Sequence, residues 1–250
     1  MKPSLSIQGK VAVITLNNPE SANRLTVDDL DTLQQHIRDV NQHQDIIILI
    51  IRSTGKYFCS GFDITSLDQA AKEKSLMFED VVNALEDCRP ITIAAVQGGV
   101  YGGATDLVLA CDFRIGSESA EMFMPAAKLG IHFYQRGLVR YVSRLGVDTA
   151  KRLLLTAEKI QSAEMKEIGF LTQLAKPEEL DQAVNGLTQQ IMLMAPLAIL
   201  GMKKHINRIA SNTLNIDELN QDIALAQNSE DLQEGRTAWA EKRAPLFKGR

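Results

Sequence analysis

Two stretches of this chain carry residue types that can do chemistry together: Lys56-Tyr57-Phe58-Cys59-Ser60-Gly61-Phe62-Asp63-Ile64 and Ala95-Val96-Gln97-Gly98-Gly99-Val100-Tyr101-Gly102-Gly103-Ala104-Thr105-Asp106-Leu107. Each follows an apolar run that reads as a buried strand and then turns at glycine. The second turn opens into a helix-like run from Ala104 to Cys111. Two such loops can aim main-chain N–H groups at one point. Fixed amides directed at developing negative charge hold an oxyanion well, and a helix start adds its positive end to one of them. A tight strand-to-helix turn needs the same glycines, so a purely structural use stays open. Phosphate-binding patterns do not fit: positions 98, 100 and 103 read Gly, Val, Gly, which breaks G-x-G-x-x-G, and no P-loop lysine follows Gly103. Asp106 lies three residues beyond Gly103, so on a helix starting there it projects from the same side as the turn.

The elements that must position these loops read as follows. Leu5-Ser6-Ile7 and Val11-Ala12-Val13-Ile14-Thr15-Leu16 flank Gln8-Gly9-Lys10 and predict a hairpin. Thr26 with Asp29 three residues on resembles a capping box opening an amphipathic helix to about His43, and a continuous apolar strand follows from Ile46 to Ile51. A second helix is expected from near Asp68 to Cys88, then a strand from Ile91 to Val96 after Pro90. Short strands are expected at Phe113-Arg114-Ile115-Gly116 and Glu121-Met122-Phe123-Met124. Alternating strand and helix argues for an α/β core with parallel pairing. From Gln135 onward the period is nearly all helical, with starts near Ser162, Pro177, Pro196 and Asn215. His36, His43 and His205 fall on expected exposed helix faces and receive no role.

The chain has 250 residues, 45% of them hydrophobic, enough for one substantial core without a low-complexity linker. A net charge of −4 speaks against nucleic-acid binding and against an acidic membrane surface, both of which call for clustered Lys and Arg. Cys59, Cys88 and Cys111 are odd in number and lack C-x-x-C spacing, so neither a disulfide framework nor a metal site is expected. Residues 1–10 hold no apolar stretch long enough for a signal peptide, and a cytoplasmic location is expected.

Taken in order, Phe58-Cys59-Ser60-Gly61-Phe62-Asp63-Ile64, the 98–112 segment ending in Cys111-Asp112, Met124-Pro125 to Leu129-Gly130, and Glu241-Lys242-Arg243-Ala244-Pro245-Leu246-Phe247 resemble the enoyl-CoA hydratase/isomerase family, the crotonases. The match runs from Asn18-Pro19 through Ala195-Pro196 to the C-terminus. The resemblance implies an α/β fold, a crotonase-like spiral of ββα turns over residues 1–194, and a helical oligomerisation region over 195–250. It also implies a homotrimer or a dimer of trimers. The ligand it implies is an acyl-CoA thioester, with coenzyme A entering as part of the substrate and no separate cofactor.

Carried over residue by residue, the resemblance implies oxyanion donors at the amides of Ser60 and Gly103. Asp106 stands where family hydratases commonly carry an acid/base glutamate. Its carboxylate is one methylene shorter, by roughly 1.5 Å, and a misplacement of that order can cost on the order of a hundredfold in rate. Its other reading is an acid in a first helical turn, complementing the macrodipole. Ala126 stands where hydratases and many isomerase relatives carry a second glutamate, and alanine transfers no proton. Water addition needs one group to activate water and one to supply the α-proton, or one group doing both. Isomerase-like or decarboxylase-like chemistry is therefore favoured, against a weak hydratase using Asp106 or a catalytically inactive acyl-CoA-binding subunit. His132 and Tyr134 can substitute as donor or acid, or can simply fill and narrow the acyl pocket together with Phe133 and so favour a small or flat acyl group. Coenzyme contacts are expected at Cys59, Ser60, Phe62, Asp63 and Ile64. Lys203 and Lys242 match positions that help hold phosphates, although lysines on helix surfaces are commonly just solvated.

Overall fold

The computed structural model describes residues 1–66 and 77–250. The chain forms two compact units, Met1–Val184 and Asn185–Arg250.

The first unit begins with the expected hairpin, β1 (Ser4–Gln8) antiparallel to β2 (Val11–Leu16). Helix α1 (Val27–Gln42) starts where the sequence signals it: the Thr26 hydroxyl accepts the Asp29 N–H, and the Asp29 carboxylate accepts the Thr26 N–H at 2.9 Å. Its buried residues Leu30, Leu33, Ile37 and Val40 recur at one-turn spacing and face the core. Strands β3 (Ile48–Ser53), β4 (Ile91–Val96) and β6 (Phe113–Ser117) then stack parallel beside β2. Side chains on both faces of β3 and β4 are buried, which is why these strands are runs rich in Ile, Leu, Val and Ala rather than alternating patterns. Helix α2 (Phe78–Glu86) realises the C-terminal part of the helix expected from Asp68, and residues 67–76 of that expectation lie outside the described residues. A small second sheet holds β5 (Val100–Tyr101), β7 (Glu121–Phe123) and β8 (Ile160–Gln161), and helix α3 (Ala104–Ala110) leaves the β5 turn directly.

Helices α4 (Gln135–Leu145), α5 (Val147–Thr156) and α6 (Ser162–Glu167) follow. The region beyond Gln135 is not all helical, however. The short strand β8 pairs antiparallel to β7, and β9 (Gln173–Ala175) closes the large sheet parallel to β6, giving the order β1-β2-β3-β4-β6-β9. Strands of two or three residues are too short to impose a period of two on the sequence, so they were not legible there. Helix α7 (Leu180–Met192) carries the division between the units.

The second unit contains α8 (Pro196–Ala210), α9 (Ile216–Gln227) and α10 (Glu230–Glu241), with Pro196 in the first turn of α8 and caps from the side chains of Asn215 and Ser229. His205 corrects the expectation of an exposed face: it is buried and bonded through Nε2 to Asp222 at 2.8 Å. Among the described residues no single helix is long and apolar enough to cross a membrane, and no three of the His, Cys, Asp and Glu side chains gather as a metal site.

Candidate active site

The two glycine loops do come together. Phe58 donates its N–H to Gly99 O at 3.0 Å and Tyr101 donates to Cys59 O at 2.9 Å, so the 58–61 loop runs beside β5 as a parallel bridge. At the end of that bridge Gly61 has φ +92°. A Cβ there would lie 2.9 Å from Tyr101 O and 3.1 Å from Gly103 N, so only glycine permits the approach. Gly102 also needs its left-handed φ of +57°, which turns the chain from β5 into α3 while its N–H is held by Phe123 O at 3.0 Å.

The donor expected at Ser60 is corrected by this geometry. Its N–H is spent on Ala22 O at 3.0 Å, so it is not open to a ligand. Beyond Gly61, the flanking residue Phe62 has its carbonyl side tied through the Asp63 N–H to Leu25 O at 2.8 Å, and among the described residues no group accepts its own N–H. The same holds for the N–H of Gly103. Of the loop amides around Gly61, the one left without an acceptor is thus that of Phe62, two residues beyond the one the sequence suggested. The Phe78 ring lies against Gly103, 2.8 Å from where a Cβ would stand, and 6.3 Å from the Phe62 ring between centroids.

Asp106 departs most from expectation. It is 0% exposed, and both of its oxygens are engaged: Oδ1 accepts from Arg140 Nε at 2.9 Å, while Oδ2 accepts from Arg140 Nη2 at 2.7 Å and from the Tyr134 hydroxyl. It is therefore not a carboxylate standing open to a substrate. Arg140 is itself buried and reaches Glu86 at 2.8 Å and Asn83 at 3.1 Å. Arg136 grips both Glu86 and Asp87, and Arg144 approaches Glu86 at 3.6 Å. The guanidinium of Arg140 is held firmly protonated: burial opposes its charge, but the Asp106 and Glu86 carboxylates outweigh that effect. A buried charge pair costs desolvation on both sides, which bidentate geometry and further hydrogen bonds offset.

Tyr134 is mostly buried beside this pair. Burial first, and the Asp106 charge second, push its hydroxyl well above the usual phenol range, so it stays protonated and donates to Asp106. Phe133 stacks on Tyr134 with centroids 4.7 Å apart and meets Tyr141 edge-on at 5.7 Å. These rings fill space against the start of α4. His132 is exposed, its Nδ1 within 2.8 Å of Phe133 O, and the expectation that it serves as an acid finds no contact with Asp106 or with the loop amides.

Comparison with known proteins now decides the family. The profile of the enoyl-CoA hydratase/isomerase family matches residues 6–250. The chain belongs to the enoyl-CoA hydratase/isomerase family. It is 31% identical over 256 residues to a crotonyl-CoA hydratase of Syntrophomonas wolfei, covering 97% of this chain and 96% of the relative. It is 30% identical over 250 residues to a methylmalonyl-CoA decarboxylase of Escherichia coli, covering 96% and 95%. A crystal structure of an enoyl-CoA hydratase from Bacillus anthracis superposes with TM-score 0.91 at 27% identity over 100% of both chains. The fold is thus that of the crotonases, and the chain is an enzyme of a family that acts on acyl-CoA thioesters.

Within this enoyl-CoA hydratase/isomerase the residues expected to touch coenzyme A fall differently. Cys59 is fully buried, and burial pushes its thiol up to about 12, so it serves the interior rather than a ligand. Asp63 accepts from the Thr65 hydroxyl at 2.8 Å, which holds its carboxyl below the usual range, and Ile64 is exposed beside it. Lys203 is buried rather than on a helix surface, whereas Lys242 is exposed at the left-handed end of α10. Both belong to the second unit. What the sequence reading missed is the arginine row: Arg136, Arg140 and Arg144 recur every four residues, one face of a helix, and that spacing was a visible signal for an acidic partner.

Proposed function

We propose that this chain binds an acyl-CoA thioester, holds the thioester oxygen on the amides of Phe62 and Gly103, and forms the enolate by loss of CO2 rather than by proton removal at a carboxylate. The engagement of Asp106 carries this reading, since a fully buried carboxylate whose two oxygens already accept three hydrogen bonds from Arg140 and Tyr134 is poorly placed to take a proton from a substrate carbon. Ala126 adds no second acid. In a 2-carboxyacyl thioester the C–C bond to the carboxylate breaks and its electron pair passes into the thioester carbonyl. The two amides then hold the oxyanion, and CO2 leaves. Water supplies the proton to the α-carbon. Removing one such amide costs about 3 kcal/mol of transition-state stabilisation. The similarity to a relative named methylmalonyl-CoA decarboxylase supports the same chemistry.

Coenzyme A enters as part of the substrate, with no further cofactor. A homotrimer or dimer of trimers suits a second unit that exposes large apolar side chains, among them Met202, Ile206, Ile209 and Trp239. A reducing compartment such as the cytoplasm suits three buried cysteines that form no disulfide. The deciding experiment is turnover of a thioester panel in heavy water, followed by mass. Loss of CO2 with one deuterium at the α-carbon is expected from malonyl- or methylmalonyl-type thioesters. Mass gain by water on a 2-enoyl thioester, or deuterium exchange and double-bond migration without CO2 loss, would overturn it.

A further inference from the structure

Gly61 is where the two loops touch, and the groups that hold it there take no part in the chemistry above. Its N–H donates to Cys59 Sγ at 3.4 Å, and the Cys59 thiol in turn donates to the main-chain carbonyl of Asn23 at 3.0 Å. Burial keeps that thiol protonated at neutral pH, as this donation requires. Asn23 is buried and sits at φ +54°, a left-handed conformation that asparagine tolerates better than most side chains. Its Nδ2 donates to Thr54 O at 2.8 Å and to Tyr57 O at 2.9 Å, while its Oδ1 accepts the Asn18 N–H at 2.8 Å. Next to it, Ala22 O takes the Ser60 N–H. The 18–23 turn thus grips the 54–60 segment along its whole length and ends one peptide short of the Phe62 amide.

We propose that Asn23 and Cys59 are positioning residues: the line from the Asn23 carbonyl through the Cys59 thiol to the Gly61 amide sets the direction in which Phe62 presents its N–H to the thioester oxygen. This rests on Phe62 being an oxyanion donor. A simple turn anchor would explain the bonds of the Asn23 side chain. It would not explain a buried thiol bridging that turn to the glycine wedged against Gly103 N.

The test uses butyryl-CoA labelled with carbon-13 at the carbonyl, a saturated thioester with no carboxylate to lose, and reads its C=O stretch by difference infrared spectroscopy. Bound to the native protein, the band is expected to move to lower frequency, as polarisation by two donors requires. In Cys59→Ala and Asn23→Gly the shift is expected to fall to half or less while binding of free coenzyme A stays within about twofold, and Cys59→Ser, which keeps a donor and an acceptor, is expected to regain part of it. Should Asn23→Gly fail to fold, the Cys59 pair decides alone. A full shift in Cys59→Ala overturns the positioning role. No shift in the native protein removes the oxyanion reading itself, and the two failures are thereby distinguishable.

Discussion

Asp106 shows what a change of one methylene does when a guanidinium stands opposite. A carboxylate in the first turn of α3 is close enough to Arg140 on α4 for a bidentate pair, and with both oxygens engaged the residue ties the two helices together. Removing one partner of a buried pair strands the other charge, which costs about 3–5 kcal/mol. Arg140→Met is therefore expected to lower the urea midpoint steeply, because Asp106 keeps only Tyr134 as a donor. Asp106→Asn is expected to cost less, because Arg140 keeps Glu86 and Asn83. If Asp106→Asn instead leaves stability untouched but removes all turnover, Asp106 is a catalytic acid or base, and the decarboxylation reading loses its support.

At the scale of elements, legibility followed the length of the pattern. The capping box of α1, the apolar runs of β3 and β4 and the glycine turn before α3 each extend over enough residues to leave a period or a fixed spacing in the sequence. Strands β8 and β9 do not, and neither does the proposed assignment of the loop amide to Phe62 rather than Ser60. That assignment depends on which N–H the 18–23 turn consumes, a tertiary fact with no local signature. The pairing of α4 with Asp106 was half legible: the arginine spacing was there, but its acidic partners lie on other elements. Helix α2 brings a further consequence through Phe78, whose ring rests on Gly103 beside the expected seat of the thioester carbonyl. On the proposed reading this ring bounds the acyl end of the site. Phe78→Ala is expected to widen acceptance toward longer acyl-CoA thioesters by about tenfold in relative affinity, since two extra buried methylenes at roughly 0.8 kcal/mol each contribute about 1.6 kcal/mol. Titration calorimetry over a chain-length series checks it, and an unchanged length profile would place the acyl pocket elsewhere.

For the molecule as a whole, the exposed apolar surface of the second unit is what the proposed assembly would cover. Trp239 is 87% exposed at the C-terminal end of α10, and Ile206 and Ile209 are exposed on α8, while Leu225 is exposed on α9. Single exposed apolar residues need no explanation, but several large ones on three helices of one small unit leave a surface that water covers poorly. Fully covering each such side chain contributes about 1.5–3 kcal/mol, so a handful per copy is comparable to the roughly 4–15 kcal/mol lost in translational and rotational freedom on association. Sedimentation velocity at micromolar concentration is expected to show a species of three chains, or twice three. A paired change, Ile206→Glu with Trp239→Glu, is expected to shift it to single chains with the far-ultraviolet circular dichroism preserved, because neither side chain contributes to the buried core. A native protein that sediments as one chain throughout would mean that these side chains face water in the working enzyme, and the trimer would have to be abandoned.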